Sequence, residues 1–200
     1  EMKYWQKRTL PKLIKTIRAI DKKTTLVVEP GPWGLTNGFS NFQPVSDANT
    51  VYSFHFYAPH NYTHQGVGKA KRDGSGIYPG KLKMFNSSPE IMWNRETLRE
   101  SMKDAINFAK KHKVRMFVGE FGVIRWAKSG AAQWIKDSIS VFEENGFDWA
   151  FHSYTAWNGW NPTFPADAKS SNEADGGVDT DRLQALKANW KLNEKNKQKK

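Results

Sequence analysis

Glu120 stands between glycines in Val118-Gly119-Glu120-Phe121-Gly122, directly after the apolar Met116-Phe117 and with no turn signal before it. A carboxylate that emerges from a strand end with open space beside the backbone is placed to act as a nucleophile. His55 and Tyr57 are two residues apart in Phe54-His55-Phe56-Tyr57. Strand alternation puts both on one face, where an imidazole and a phenol can hydrogen-bond a carboxylate or a sugar hydroxyl. Trp33, Trp126, Trp157 and Trp160 fall in segments that follow predicted strands, and flat aromatic rings there suit stacking on the apolar face of a pyranose. Glu29, before Pro30, is a second carboxyl at a strand end. Each feature also has a purely structural explanation. Glu120 could face water or pair with Arg115 or Arg125, Glu29 could bond the rim, His55 and Tyr57 could be satisfied core residues, and each Trp could be packing.

The elements that position these residues follow from hydrophobic periodicity. Leu10, Leu13, Ile14, Ile17 and Ile20 recur at helical spacing, and a buried strand is expected over Thr24 to Val28. A second strand is expected over Val51 to Ala58, with no convincing helix between the two. The stretch from His60 to Ser88 is rich in Gly, Lys, Asn and Pro and is too long for a simple connector. Ser88 and Pro89 read as the start of a helix whose apolar face is Leu98, Met102, Ala105, Ile106 and Ala109. That helix feeds a strand over Val114 to Gly119. A helix with Ala131, Trp134, Ile135, Ser138, Ile139 and Phe142 on one side stops at Gly146 and leads to a strand over Trp149 to Tyr154. The last helix carries Leu183, Leu186 and Trp190. Short apolar strands mostly separated by helices predict an α/β fold with a parallel sheet, whose active site lies where strands give way to loops.

Composition excludes several classes of function. There is no cysteine, so disulfides and thiolate metal sites are out, and the five histidines form no metal-ligand motif. No cofactor is expected, since no Gly-rich phosphate loop precedes a helix and no serine elbow occurs. No apolar run nears the roughly 20 residues of a membrane span, so no membrane partner is expected. The net charge of +11 would raise nucleic acid as a partner, but six lysines against Glu194 in the last fourteen residues supply +5 of it. A lysine tail of this kind is a solvated end, so nucleic acid is not expected, and residues 191–200 are read as a basic, disordered tail after a domain spanning 1–190.

Four segments together carry a resemblance: residues 51 to 59 (Val-Tyr-Ser-Phe-His-Phe-Tyr-Ala-Pro), 62 to 66 (Tyr-Thr-His-Gln-Gly), 118 to 122, and the last strand with the tryptophans after it. In this order they resemble the second half of glycoside hydrolase family 5, the cellulase-like (β/α)₈ TIM barrels. The resemblance implies a half-barrel holding the last four strands of eight, because a full barrel needs about 250 residues and this chain has 200. It implies a retaining endo-acting hydrolase of a β-linked polysaccharide, with β-1,4-glucan the expected substrate. Glu120 takes the place of the nucleophile, and His55 and Tyr57 take the places of the pair contacting substrate and nucleophile. Sugar contacts are implied at Trp33, His64, Gln65, His152, Trp157 and Trp160. The family's acid/base glutamate lies in an Asn-Glu-Pro motif, and that tripeptide is absent here. The family's last-strand tryptophan appears as His152, leaving Trp157 or Trp160 to supply the platform. The expected partners are therefore a polysaccharide and the missing N-terminal half of the barrel, and the family implies a secreted or periplasmic location. The alternative is a half-barrel that binds carbohydrate without cleaving it.

Overall fold

The computed structural model describes residues 2–67, 76–127, 129–154, 156–166 and 177–197. The chain forms two compact units, the first made of Glu1–Phe56, Glu100–Glu120 and Phe142–Ala150, the second of Tyr57–Arg99, Phe121–Val141 and Phe151–Lys200.

The first unit opens with α1 (Met2–Tyr4), a π-helical turn (Trp5–Thr9) and α2 (Leu10–Ile20). Pro11 sits in the first turn of α2, where its missing N–H costs no helical bond, and Leu10 and Ile14 form the buried side. Arg18 on α2 forms a bidentate pair with Asp47, Nε to Oδ2 at 2.5 Å and Nη2 to Oδ1 at 3.1 Å. Asp21 ends the helix and turns the chain by accepting from the Lys23 and Thr24 amides and the Thr24 hydroxyl, which hold its carboxyl down at about 2.

Strands β1 (Leu26–Val28), β2 (Thr50–Phe56), β5 (Met116–Phe121) and β6 (Asp148–Phe151) form one sheet in the order β1-β2-β5-β6. Its first pair is parallel, in the register Leu26 to Thr50, Val27 to Val51 and Val28 to Tyr52. Val51, Tyr52, Ser53, Phe54 and Phe56 are all buried, the near-continuous burial of a strand covered on both faces. Between β1 and β2 a short 3₁₀ turn (Thr36–Phe39) delivers Phe39 to an aromatic cluster. In it Phe39, Phe42 and Tyr52 surround Phe108 of α5 (Lys103–His112), with ring centroids 4.8 to 5.9 Å from it.

The second unit contains a one-turn helix α3 (His60–Thr63), a β3–β4 hairpin (Gly80–Lys83 with Glu90–Trp93), the start of α4 (Arg95–Ser101), most of α6 (Ala131–Glu144) and α7 (Asp181–Lys197). The hairpin is antiparallel, Gly80 opposite Trp93 and Lys83 opposite Glu90. It corrects two expectations. The stretch from His60 to Ser88 contains the helical turn α3 and the strand β3, and Ser88-Pro89 precedes the strand β4 rather than a helix. The helix begins only at Arg95, where Asn94 Oδ1 accepts the Thr97 N–H at 3.0 Å as an N-cap does. A break at Met102 then separates α4 from α5. Helix α7 runs through Lys197, into the stretch read as a tail; residues 198–200 lie outside the described residues.

Trp134 of α6 is fully buried, packs 6.3 Å from Phe121 and donates its Nε1–H to the Ala58 carbonyl at 2.8 Å. Trp134→Ala removes a large buried ring and leaves that carbonyl without its donor. It is expected to cost about 3–5 kcal/mol, read from the midpoint of urea unfolding at unchanged m-value. A loss below 1 kcal/mol would show that the ring's surroundings collapse without penalty.

Candidate active site

In the first unit, β2 carries Ser53 and His55 on one face while Phe54 and Phe56 go to the opposite, buried one. Glu29 follows the end of β1, and Glu120 is the penultimate residue of β5. Parallel pairing brings these ends together. His55 Nε2 lies 3.2 Å from Glu29 Oε1, and His55 Nδ1 lies 3.5 Å from Glu120 Oε2. Ser53 Oγ donates to Glu29 Oε1 at 2.6 Å. The side chains are half-open to solvent, 26% exposed for His55 and 36% for each glutamate.

Two glycines make this packing possible. A Cβ on Gly119 would lie 2.7 Å from Ser53 Oγ and 3.5 Å from Glu29 Oε1. Gly34 has φ +61, its carbonyl accepts the His55 N–H at 2.8 Å, and a Cβ there would lie 3.1 Å from Glu29 Oε2. The preceding Trp33 also has positive φ, and its ring is 81% exposed.

The hydrogen bond from His55, and then that from Ser53, holds the Glu29 carboxyl below its ordinary range against the opposing effect of burial. The bond to Glu29 in turn raises His55, with added attraction from Glu29 and Glu120 and burial opposing. Glu29 thus accepts from both His55 and Ser53 as a carboxylate at the rim of the sheet. Arg115 pairs with Asp148 at 3.4 Å, Arg125 donates to the Pro165 carbonyl at 3.2 Å, and a ring nitrogen of His55 lies 3.5 Å from the Glu120 carboxylate.

The second unit holds an aromatic group. Tyr57 Oη and His152 Nδ1 are 3.1 Å apart, and the Tyr57 ring meets His64 edge-on at 4.9 Å and Trp160 at 5.7 Å. His64 stacks on His60 at 3.9 Å with rings nearly parallel. Trp126 donates to the Gln65 carbonyl at 2.5 Å and meets Trp157 edge-on at 5.8 Å, and Trp157 meets Trp160 at 6.0 Å. The tryptophans differ in what they offer a ligand, since Trp157 is 36% exposed and Trp160 only 8%. Gln65 is buried. Thus Glu120 and His55 lie together in one unit, and Tyr57, His64, Gln65, His152, Trp157 and Trp160 in the other. Sequence reasoning passed over Ser53, whose signal is its place two residues before His55 on the same strand face.

Residues 3–161 match the family model described as Cellulase (glycosyl hydrolase family 5). The chain belongs to glycoside hydrolase family 5. Among its family 5 relatives, Endoglucanase C of Acetivibrio thermocellus is 32% identical over 171 residues, covering 75% of this chain and 49% of that protein. Cellodextrinase A of Ruminococcus flavefaciens is 29% identical over 118 residues, covering 58% of this chain and 33% of the relative. The endoglucanase Cel5A from Thermotoga maritima shares the fold, with a TM-score of 0.70–0.72 at 22% identity, over 93% of this chain and 55% of that one. The chain spans about half the length of the curated relatives it matches most extensively.

Burial, with a smaller push from His60, drives His64 from its ordinary 6.5 down to about 3, so the folded protein keeps it neutral in mild acid. The unfolded chain takes up that proton near 6.5. Stability on this account is full above that value and declines as pH falls towards 3. His64→Gln, which cannot titrate, is expected to lose less stability between pH 7 and pH 4.5 than the wild type, compared by urea midpoints at the two pH values. Equal losses in both proteins would remove His64 as a source of acid sensitivity.

Proposed function

We propose that this chain is the second half of the catalytic barrel of a retaining β-1,4-glucanase, with Glu120 as the nucleophile. The observation that carries the reading is Glu120 at the end of β5 with a ring nitrogen of His55 3.5 Å from its carboxylate. Family membership and relatives that include an endoglucanase and a cellodextrinase support the substrate class. Four strands in the main sheet, with β1 and β6 at its two ends, support a half-barrel, since closure takes eight.

Glu120 attacks the anomeric carbon to give a glycosyl ester, and water then releases the sugar with retention. The first step needs a carboxylic acid about 5–5.5 Å from the nucleophile to protonate the leaving oxygen. Glu29 accepts from His55 and Ser53 as a carboxylate, and no Asn-Glu-Pro occurs in the 200 residues, so the acid/base belongs to the other half of the barrel. In the first unit Trp33 offers an exposed ring to a pyranose, and in the second unit Trp157 offers another, while Tyr57, His64, Gln65, His152 and Trp160 are the sugar contacts that the family resemblance implies. A polymeric substrate that cannot cross a membrane would support a secreted or periplasmic location. The missing Asn-Glu-Pro also favours a second reading for the chain by itself, a half-barrel that holds carbohydrate without cleaving it.

Both readings meet in one assay, release of reducing ends from soluble β-1,4-glucan by the chain alone and by the chain joined to a family 5 N-terminal half. The chain alone is expected to release none and the joined protein to be active. In the joined protein Glu120→Gln is expected to abolish turnover and to change oligosaccharide affinity by less than about tenfold, because shape is kept and the nucleophile is not. A variant retaining a tenth of the wild-type kcat would remove Glu120 from the role.

Trp157→Ala in the same joined protein is expected to weaken oligosaccharide binding by about 1–3 kcal/mol through lost stacking and burial. Titration calorimetry with a cello-oligosaccharide measures it, and unchanged affinity would make Trp157 a packing residue.

A further inference from the structure

The ring of His55 has a carboxylate oxygen at each of its nitrogens: Glu29 Oε1 3.2 Å from Nε2 and Glu120 Oε2 3.5 Å from Nδ1. A neutral imidazole has one N–H and one lone pair. In either neutral tautomer the lone pair would face a carboxylate, and only the doubly protonated ring can donate to both. Glu29 is the better anchored of the two partners. Its Oε1 also accepts the Ser53 hydroxyl at 2.6 Å, its Oε2 lies under Gly34, and the bare backbone of Gly119 leaves room for both groups. We propose that Glu29, steadied by Ser53, is a positioning residue that keeps His55 an imidazolium beside Glu120.

Every charged group acting on His55 among the described residues is in this set. Glu29 follows β1, Glu120 ends the β5 portion of the unit, and the remaining neighbours, Ser53 on β2 and the Gly34 backbone, are neutral. The direction of the His55 shift, upward with the Glu29 bond as its largest cause, agrees with the geometry.

The consequence rests on the reading of Glu120 as the nucleophile. Free Glu120 and Glu29 share one cation between two negative charges. When Glu120 becomes a glycosyl ester it loses its charge, and the Glu29–His55 pair that remains is neutral overall. Without Glu29, esterification would strip His55 of its last counter-charge, and the ring would lose its proton or stand as an uncompensated cation. Glu29 thus makes the charge state of His55 independent of whether the nucleophile is free or esterified.

The test follows the imidazole nitrogens of the ¹⁵N-labelled 200-residue chain by long-range ¹H–¹⁵N correlation across pH, with His55 assigned from the signals lost in His55→Gln. In the wild type both His55 nitrogens are expected to be protonated at pH 7, with a midpoint above the ordinary value. Glu29→Gln is expected to lower that midpoint by about one pH unit or more, and Glu29→Asp, which keeps the charge on a shorter arm, to recover part of the shift. Glu120→Gln, which mimics the uncharged ester, is expected to leave His55 protonated at pH 7. A neutral His55 at pH 7 in the wild type or in Glu120→Gln overturns the proposal, and so does an unchanged midpoint in Glu29→Gln. If Glu29→Gln loses its dispersed amide spectrum, the wild-type and Glu120→Gln titrations decide. The readout is a protonation state, so absence of hydrolysis by the joined protein would sink the glucanase reading and leave this result standing.

Discussion

Carboxylates at the ends of strands on either side of β2 require a donor between them, and in the first unit of this protein His55 takes that place between Glu29 and Glu120. That requirement fixes much of the local structure. His55 must sit on the strand separating the two glutamates, which the order β1-β2-β5 provides. Its ring must lie on the open face while its strand neighbours fill the core, which alternation along β2 provides. Buried Phe54 and Phe56 keep the strand from rotating, so the electrostatics of the open face rest on the aromatic packing behind it.

The second unit works by burial rather than charge. His64 meets both Tyr57 and Trp160 edge to face, an arrangement in which the electron-poor rim of one ring faces the electron-rich face of the next. Burial keeps His64 neutral there, so it contributes shape and a hydrogen-bonding edge instead of a cation. The two histidines that the sequence offers most plainly, His55 and His64, are shifted in opposite directions by opposite means, upward by a carboxylate partner for one and downward by desolvation for the other.

The strand ends were legible in the sequence because short apolar runs ending in Glu or His-x-Tyr have few alternatives. Glu120 and His55 could be singled out from those runs, but a structural explanation stayed open for each and only the family resemblance implied their roles. The link from Ser53 to Glu29 could not, because it depends on the lateral order of strands that are far apart in the chain. The hairpin was illegible for a related reason. Glu90-Ile91-Met92-Trp93 suits a helix as well as a strand, and what decides it is pairing with Gly80–Lys83, whose own sequence reads as turn and surface. The tryptophans were located but not ranked, since exposure of 81% at Trp33 and 8% at Trp160 is set by how each loop folds back, not by residue type.

Gly119 has no side chain, yet it governs the charges on both sides of it. A single methyl group there would press on the Ser53 hydroxyl, and through Ser53 would loosen the hold on the Glu29 carboxylate. The protonation proposed for His55 thus depends, through Ser53 and Glu29, on a position that carries no ionisable atom. For anyone reshaping this protein, the steric allowance at Gly119 is an electrostatic control, and it would be overlooked in a survey confined to titratable residues.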